Sequence, residues 1–265
     1  MPIVGYSSIP VGCKNPRRAV FLSFCESGTM SKRNKLEKFA EVLSFPNTFE
    51  NFDHSQPSLL GKDGEPVDLK GKWAAEYFRN DHPITLELAC GRGEYTLALA
   101  RTFPERNFIG VDIKGARIWK GASIALEEGL QNVAFLRTRI EQLNYFFEVG
   151  EVHEIWITFP DPFPRKSKAN RRLTAPNFLK VYRRVLAKDG LMHLKTDADS
   201  LYEFSLEILQ QDPRVHILYQ DNDIYAKPLA YPELDHKTYY EHMHLEDGKT
   251  IKYLRFQIHG SEEEE

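Results

Sequence analysis

From residue 84 to residue 258 the chain repeats one pattern, a short apolar run followed by a longer stretch of helical periodicity, and this limits its fold more than any other feature. Strands that are apolar at consecutive positions are buried on both faces, as in a parallel sheet covered by helices on each side. Apolar runs fall at 84–89, 107–112, 133–137, 154–159, 191–195, 215–220 and 251–258, and helical periods at 94–103, 114–128, 141–147, 176–187 and 200–210. Seven runs predict an α/β fold, an open and mostly parallel seven-stranded sheet with helices on both faces and an antiparallel last strand carrying the alternation of a sheet edge. Ligands of such sheets sit beyond the carboxyl ends of the strands.

The chain ahead of this pattern is less regular. Residues 1–29 carry no usable period and are expected to form a disordered leader, with Met30 as a candidate start. A helical pattern opens near Met30, with Leu36, Phe39, Ala40 and Leu43 on one face. Residues 46–70 are rich in Pro, Gly, Asn and Asp and read as a long loop, and 72–79 as a short amphipathic helix. The expected organisation is therefore a leader over 1–29, a helical and loop extension over 30–83, a main domain over 84–260 and an acidic tail over 261–265.

Charge and cysteine usage narrow the setting. The formal net charge is −3, yet the four glutamates at 262–265 account for that sign, so a nucleic-acid site would have to be a local patch. Cys13, Cys25 and Cys90 make an odd count without metal-ligand spacing, which points to a reducing compartment and no metal. No apolar run approaches the roughly 18 residues of a membrane span. The apolar stretch after Arg17-Arg18 is too short for an export signal. A cytoplasmic protein is expected.

The polar clusters fall just after the predicted strands. Leu86-Glu87-Leu88-Ala89-Cys90-Gly91-Arg92-Gly93-Glu94 runs from a strand through a glycine turn into a helix, where glycines let backbone pass close to a ligand. Asp112 ends the next strand, where a carboxylate can accept both hydrogen bonds of a ribose diol. A dinucleotide and S-adenosylmethionine both fit this outline. Thr96 stands where the dinucleotide fingerprint wants a small residue, and Glu94 lies where a pyrophosphate would dock. Like charges about 4 Å apart repel by roughly 4 kcal/mol at an effective dielectric near 20. A mouth lined by Glu87, Glu94 and Asp112 suits a cation better.

After the fourth strand, Phe159-Pro160-Asp161-Pro162-Phe163-Pro164 is a rigid turn carrying one acid, since each Pro fixes φ and removes a donor. Arg165, Lys166, Lys168, Arg171 and Arg172 follow, five cations in eight residues. Such a run can neutralise several backbone phosphates. Phe163 could stack on an unpaired base or pack in the core, and Tyr239 and Tyr240 read as packing residues. Cys90 reads as a small buried residue. No histidine shows triad or metal spacing.

Taken together, Leu86 to Glu94, Gly110-Val111-Asp112-Ile113-Lys114-Gly115, Phe159 to Pro164, Lys195-Thr196-Asp197 and Thr238-Tyr239-Tyr240-Glu241 resemble the bacterial tRNA (guanine-N7-)-methyltransferases of the TrmB type, over residues 71–258. The resemblance implies a Rossmann-like class I methyltransferase that uses S-adenosylmethionine to methylate N7 of a tRNA guanine, by resemblance the variable-loop guanine at position 46. It implies that Glu87, Asp112 and Asp161 meet the cofactor, with Gly91 and Gly93 shaping the turn and Asp161 also catalytic; Thr138, past the third strand, is a further candidate for the cofactor site. Arg165, Asp197, Thr238 and Glu241 would meet the substrate, joined by Arg171 and Arg172 of the basic run. Two departures stand out. The family often has Gly where Ala89 stands, and an Asn or Asp near the adenine where this chain reads Arg137-Thr138-Arg139-Ile140. No obligate protein partner is expected. The alternatives to a methyltransferase are a nucleotide-dependent oxidoreductase and a noncatalytic RNA-binding module on the same fold.

Overall fold

The computed structural model describes residues Lys35 to His259. The leader, the candidate start at Met30, Cys13 and Cys25, and the acidic tail lie outside the described residues. The first helix is α1 (Lys35–Val42), and the strands are β1 (Thr48–Glu50), β2 (Ile84–Leu88), β3 (Asn107–Asp112), β4 (Val133–Arg137), β5 (Val152–Thr158), β6 (Leu186–Thr196), β7 (Val215–Asp221) and β8 (Lys252–Ile258). Helices α2 (Glu94–Thr102), α3 (Gly115–Glu127), α4 (Leu143–Phe146), α5 (Pro176–Val185), α6 (Asp199–Gln211) and α7 (Tyr239–Glu246) connect or follow them.

All eight strands join one sheet in the order β1-β4-β3-β2-β5-β6-β8-β7. Every pairing is parallel except those of β8 with β6 and β7. From β2 the chain builds outward through β3 and β4, then returns to place β5 on the other side of β2, so the sheet reverses direction between β2 and β5. Such a switch point opens a crevice at the strand ends.

The strand runs are apolar at both parities because both faces are covered. Leu86, Leu88, Ile109, Val111, Ile155 and Ile157 face a core shared with α5 and α6. Phe108, Phe135 and Trp156 face the opposite core, with α2 and α3. Phe135 fills the space left by three glycines: a Cβ at Gly93, Gly110 or Gly121 would come within 2.5–2.8 Å of its ring.

Two expectations are corrected here. The sheet has eight strands, not seven, because Thr48 to Glu50, read as part of a loop, pair with Phe135 to Arg137 of β4. A three-residue strand is too short to show a period in sequence. The last strand is not at the edge either: β8 lies between β6 and β7, and β7 is the edge, with alternate residues exposed. Smaller shifts have local causes. Strand β6 begins at Leu186, which pairs with Val152 before the register jumps to Glu154–Leu191. Residues 187–190, which include Lys188, Asp189 and Gly190, span that jump. Trp73–Phe78 winds as a π-helix, closed by Arg79 at φ +58°. Among the described residues no helix is long and apolar enough to cross a membrane.

Candidate active site

A cleft of about 470 Å³ opens beyond the carboxyl ends of β2, β3, β4 and β5, at the switch point. Its walls include Asp112 at the end of β3 and Ile113 after it, Thr138 to Glu141 after β4, and Pro160, Asp161 and Phe163 after β5. Arg171, Leu173 and Phe178 close the remaining side. This size is within the ordinary range for small-molecule sites.

Of the three acids expected at the mouth, only Asp112 lines the cleft. Its Oδ2 accepts the Gly91 N–H at 2.9 Å and its Oδ1 the Lys114 N–H at 2.8 Å. A carboxylate has about four acceptor sites, so each oxygen keeps one for a vicinal diol. Glu94 instead turns to α7, accepting the Tyr239 N–H at 2.7 Å. Glu87 sits buried under the glycine turn, its Oε2 bonded by the backbone N–H and the hydroxyl of Thr96 and its Oε1 by the Thr158 hydroxyl at 2.7 Å. It thereby ties together β2, the first turn of α2 and the end of β5.

Burial pushes the Glu87 carboxyl up to about 7 from 4.5, its three donors opposing the shift without cancelling it. Between those two values the folded state holds a proton that the unfolded chain has released. The stabilisation this gives is complete below the unfolded pKa and is lost as pH rises through the folded one. Glu87→Gln should remove that slope: from about pH 5 to about pH 8, wild-type unfolding free energy should fall by a few kcal/mol relative to the variant. Urea titrations at the two pH values test this, and parallel profiles would contradict it.

The two glycines of the turn differ. Gly91 has φ +58° and open space where a Cβ would stand, whereas Gly93, at φ +69°, faces inward onto Phe135. Of the two, only Gly91 leaves its backbone open to an approaching group. Ala89 also has φ +58°, a left-handed conformation in which glycine carries no strain, so the residue that departs from the resembled pattern is held there by its surroundings.

Thr138 is buried in the cleft wall and its hydroxyl accepts from Asn51 Nδ2 at 3.2 Å, while the same amide donates to Gln142 Oε1 at 3.0 Å. Sequence reasoning did not find Asn51, which comes from just after β1 and carries no motif. Ile113 and Glu141 were also missed as lining residues, and Arg139 and Ile140, quoted for the adenine side, were given no role. Their signal was simply their place one to four residues past a strand end.

Asp161 is exposed to the cleft, and its Oδ1 accepts the Phe163 N–H at 3.1 Å. Phe159 and Phe163, at φ +47° and +41°, bracket it in left-handed conformations. Phe163 lines the cleft, with the Arg171 guanidinium 5.9 Å from its ring centre. The basic run divides: Arg165, Lys166, Lys168 and Arg171 are exposed, but Arg172 is turned inward and buried.

The remaining expected residues gather around α7. Thr238 caps the helix, its hydroxyl accepting the Glu241 N–H at 3.2 Å. Glu241 is wholly buried, with Oε1 bonded by Lys195 Nζ at 2.8 Å and the Tyr225 hydroxyl at 2.7 Å. Lys195 is equally buried and also donates to the carbonyls of Leu234 and His236. Burial outweighs the attraction of Glu241 and brings the ammonium's pKa below its ordinary value. Asp197 does not cap α6; it pairs with Lys249 at 2.7 Å and lies 3.6 Å from His244. His244 in turn lies 5.9 Å from the Phe159 ring, which brings α7 against the Asp161 loop. Tyr239 and Tyr240, expected to pack, are 58% and 55% exposed. Cys90 is buried and its thiol pKa raised by that burial, as a small core residue should be.

The site suits S-adenosylmethionine on its own chemistry: acids at three positions, Asp112, Glu141 and Asp161, an open backbone at Gly91 nearby, and apolar walls at Ile113, Ile140 and Leu173. Comparisons with known proteins agree. A family model described as "Putative methyltransferase" matches residues 81–254. A protein of Christiangramia forsetii named tRNA (guanine-N(7)-)-methyltransferase is 49% identical over 230 residues, 86% of this chain and all of that protein. One of the same name from Bacteroides thetaiotaomicron is 47% identical over 226 residues, 85% of this chain and 86% of its own. Among solved structures, the 16S rRNA methyltransferase KamB superposes with a TM-score of 0.53 over 71% of this chain and 93% of its own, at 14% identity, a likeness of fold.

Proposed function

Since the chain belongs to the tRNA (guanine-N(7)-)-methyltransferase family, we propose that it transfers a methyl group from S-adenosylmethionine to N7 of a guanine in tRNA, the variable-loop guanine at position 46. The observation that carries this reading is the acid-bearing cleft at the sheet's switch point, directly beside an exposed basic loop. S-adenosylmethionine supplies the methyl on a cationic sulfonium. Asp112 offers paired acceptors to its ribose, Gly91 gives backbone access, and Thr138 stands at the adenine side. Glu87 and Gly93 act from beneath, by holding the turn in shape.

Guanine N7 carries a free lone pair at neutral pH, so no side chain need withdraw a proton. The protein's part is alignment and electrostatics. Asp161 places a negative charge where positive charge moves between donor and base. Asp197, just past β6, is by family resemblance the carboxylate that accepts the N1–H and N2–H of the guanine edge, in exchange for its contact with Lys249. Thr238 and Glu241 hold α7 beside it. Arg165 and Arg171 face the RNA backbone, and the exposed rings of Tyr239 and Tyr240 offer surfaces to unpaired bases. The reaction takes place in the cytoplasm, on tRNA, and the oxidoreductase alternative gives way to family membership.

The test uses labelled S-adenosylmethionine and three tRNA transcripts, one unmodified, one with 7-deazaguanine throughout, and one with 7-deazaguanine at the variable-loop position alone. Transfer is expected only to the first. Label on the fully substituted transcript would remove the N7 assignment, and label on the singly substituted one would move the target elsewhere.

A further inference from the structure

Arg171 and Arg172 are neighbours in sequence with opposite surroundings. Arg171 is exposed in the cleft wall. Arg172 is 7% exposed, and its guanidinium makes two bonds to consecutive carbonyls of the acid-bearing turn: Nε donates to Pro162 O and Nη2 to Phe163 O, both at 3.1 Å. Its other face lies over the Phe204 ring of α6, 4.4 Å from the centroid.

This turn needs an outside support. Pro160, Pro162 and Pro164 have no N–H to give, so the segment cannot join a backbone ladder. Left-handed conformations at Phe159 and Phe163 cost of order 1–3 kcal/mol each and persist only where neighbouring groups over-determine them. A planar guanidinium with parallel donors matches two adjacent carbonyls in a way that an ammonium cannot. The Phe163 N–H then fixes Asp161 through Oδ1. One chain of contacts runs from Phe204 through Arg172 and the Pro162 and Phe163 carbonyls to the Asp161 carboxylate.

We infer that Arg172 is a positioning residue, which holds the Asp161 turn in its transfer geometry rather than meeting tRNA phosphate, and that Arg171 alone of this pair faces the RNA. The inference rests on the reading of Asp161 given above. A displacement near 1 Å at a reacting centre costs up to about a hundredfold in rate. Arg172 therefore acts on the chemical step, and Arg171 on the electrostatics of binding.

Arg172→Lys in the full-length chain keeps the charge and most of the volume but loses the fork. Single-turnover transfer at saturating S-adenosylmethionine and tRNA is expected to slow by about tenfold to a hundredfold. The KM for tRNA should stay within about twofold, and the slope of log affinity against log salt should be unchanged, whereas Arg171→Ala should reduce that slope by about one. If Arg172→Lys fails to fold, Phe204→Leu, which removes the platform under the guanidinium, carries the test with a smaller loss in the same step. Arg172→Lys transferring at the wild-type rate, or losing one unit of salt slope as Arg171→Ala does, would overturn the assignment. A double variant separates this inference from the role of Asp161: Asp161→Asn with Arg172→Lys should be no slower than Asp161→Asn alone, and losses that multiply would show that Arg172 does not act through that carboxylate.

Discussion

Lys195→Met is expected to lower the unfolding free energy by about 3–5 kcal/mol, a large part of what a domain of ordinary stability has. The physical reason is the asymmetry of buried ion pairs. Lys195 and Glu241 are both fully buried and 2.8 Å apart, and the second carboxylate oxygen of Glu241 has no hydrogen-bond partner among the described residues. Taking away the ammonium leaves a buried carboxylate to which, among the described residues, the Tyr225 hydroxyl alone still donates. Replacing both partners, as in Lys195→Met with Glu241→Leu, should recover much of the loss, because an apolar pair requires no compensation. Urea unfolding of the three variants provides the measurement. If Lys195→Met lies within about 1 kcal/mol of wild type, the pair does not hold α7 in place.

Asp161→Asn should lower the single-turnover rate of methyl transfer by about 10²- to 10³-fold, with little change in tRNA affinity. The amide oxygen can still accept the Phe163 N–H, so the turn keeps its shape and only the charge is lost. The second oxygen of Asp161 has no hydrogen-bond partner among the described residues, and the residue is exposed in the cleft wall. Cofactor affinity should also fall if that oxygen meets the methionine ammonium, so binding and transfer must be measured separately. Near wild-type transfer at saturating substrates would leave Asp161 as a turn former between two prolines.

What the sequence made legible was whatever has a period or a local motif. Strands β2 to β5 announced themselves as apolar runs, and the glycine turn, Asp112 and Asp161 followed from their places at the strand ends. Contacts made across the fold left no such mark. Nothing local marks Arg172 as buried, because its partners are carbonyls within its own loop and a ring on α6. Glu241 and Lys195 lie far apart in sequence, so their pairing depends on tertiary structure. Strand β1 failed for a different reason, since three residues among prolines and glycines cannot display alternation. The order of β7 and β8 likewise depends on which edge the returning chain chooses, and an alternating pattern does not encode that choice.

The short strand β1 has a bearing on aggregation. It covers the free side of β4, and its own outer row is met by the chain itself, through the bridges of Glu50 to Leu60 and of Leu60 to Pro66. A protein trimmed to begin at residue 84, where the alternating pattern starts, would leave Phe135, Leu136 and Arg137 of β4 without their strand partners, along a bare backbone edge. Unpaired apolar edges of this kind recruit strands from other molecules. The segment ahead of the sheet pattern thus serves as a hem, and a shortened form lacking it would fail first by clumping during folding, before any question of catalysis arose.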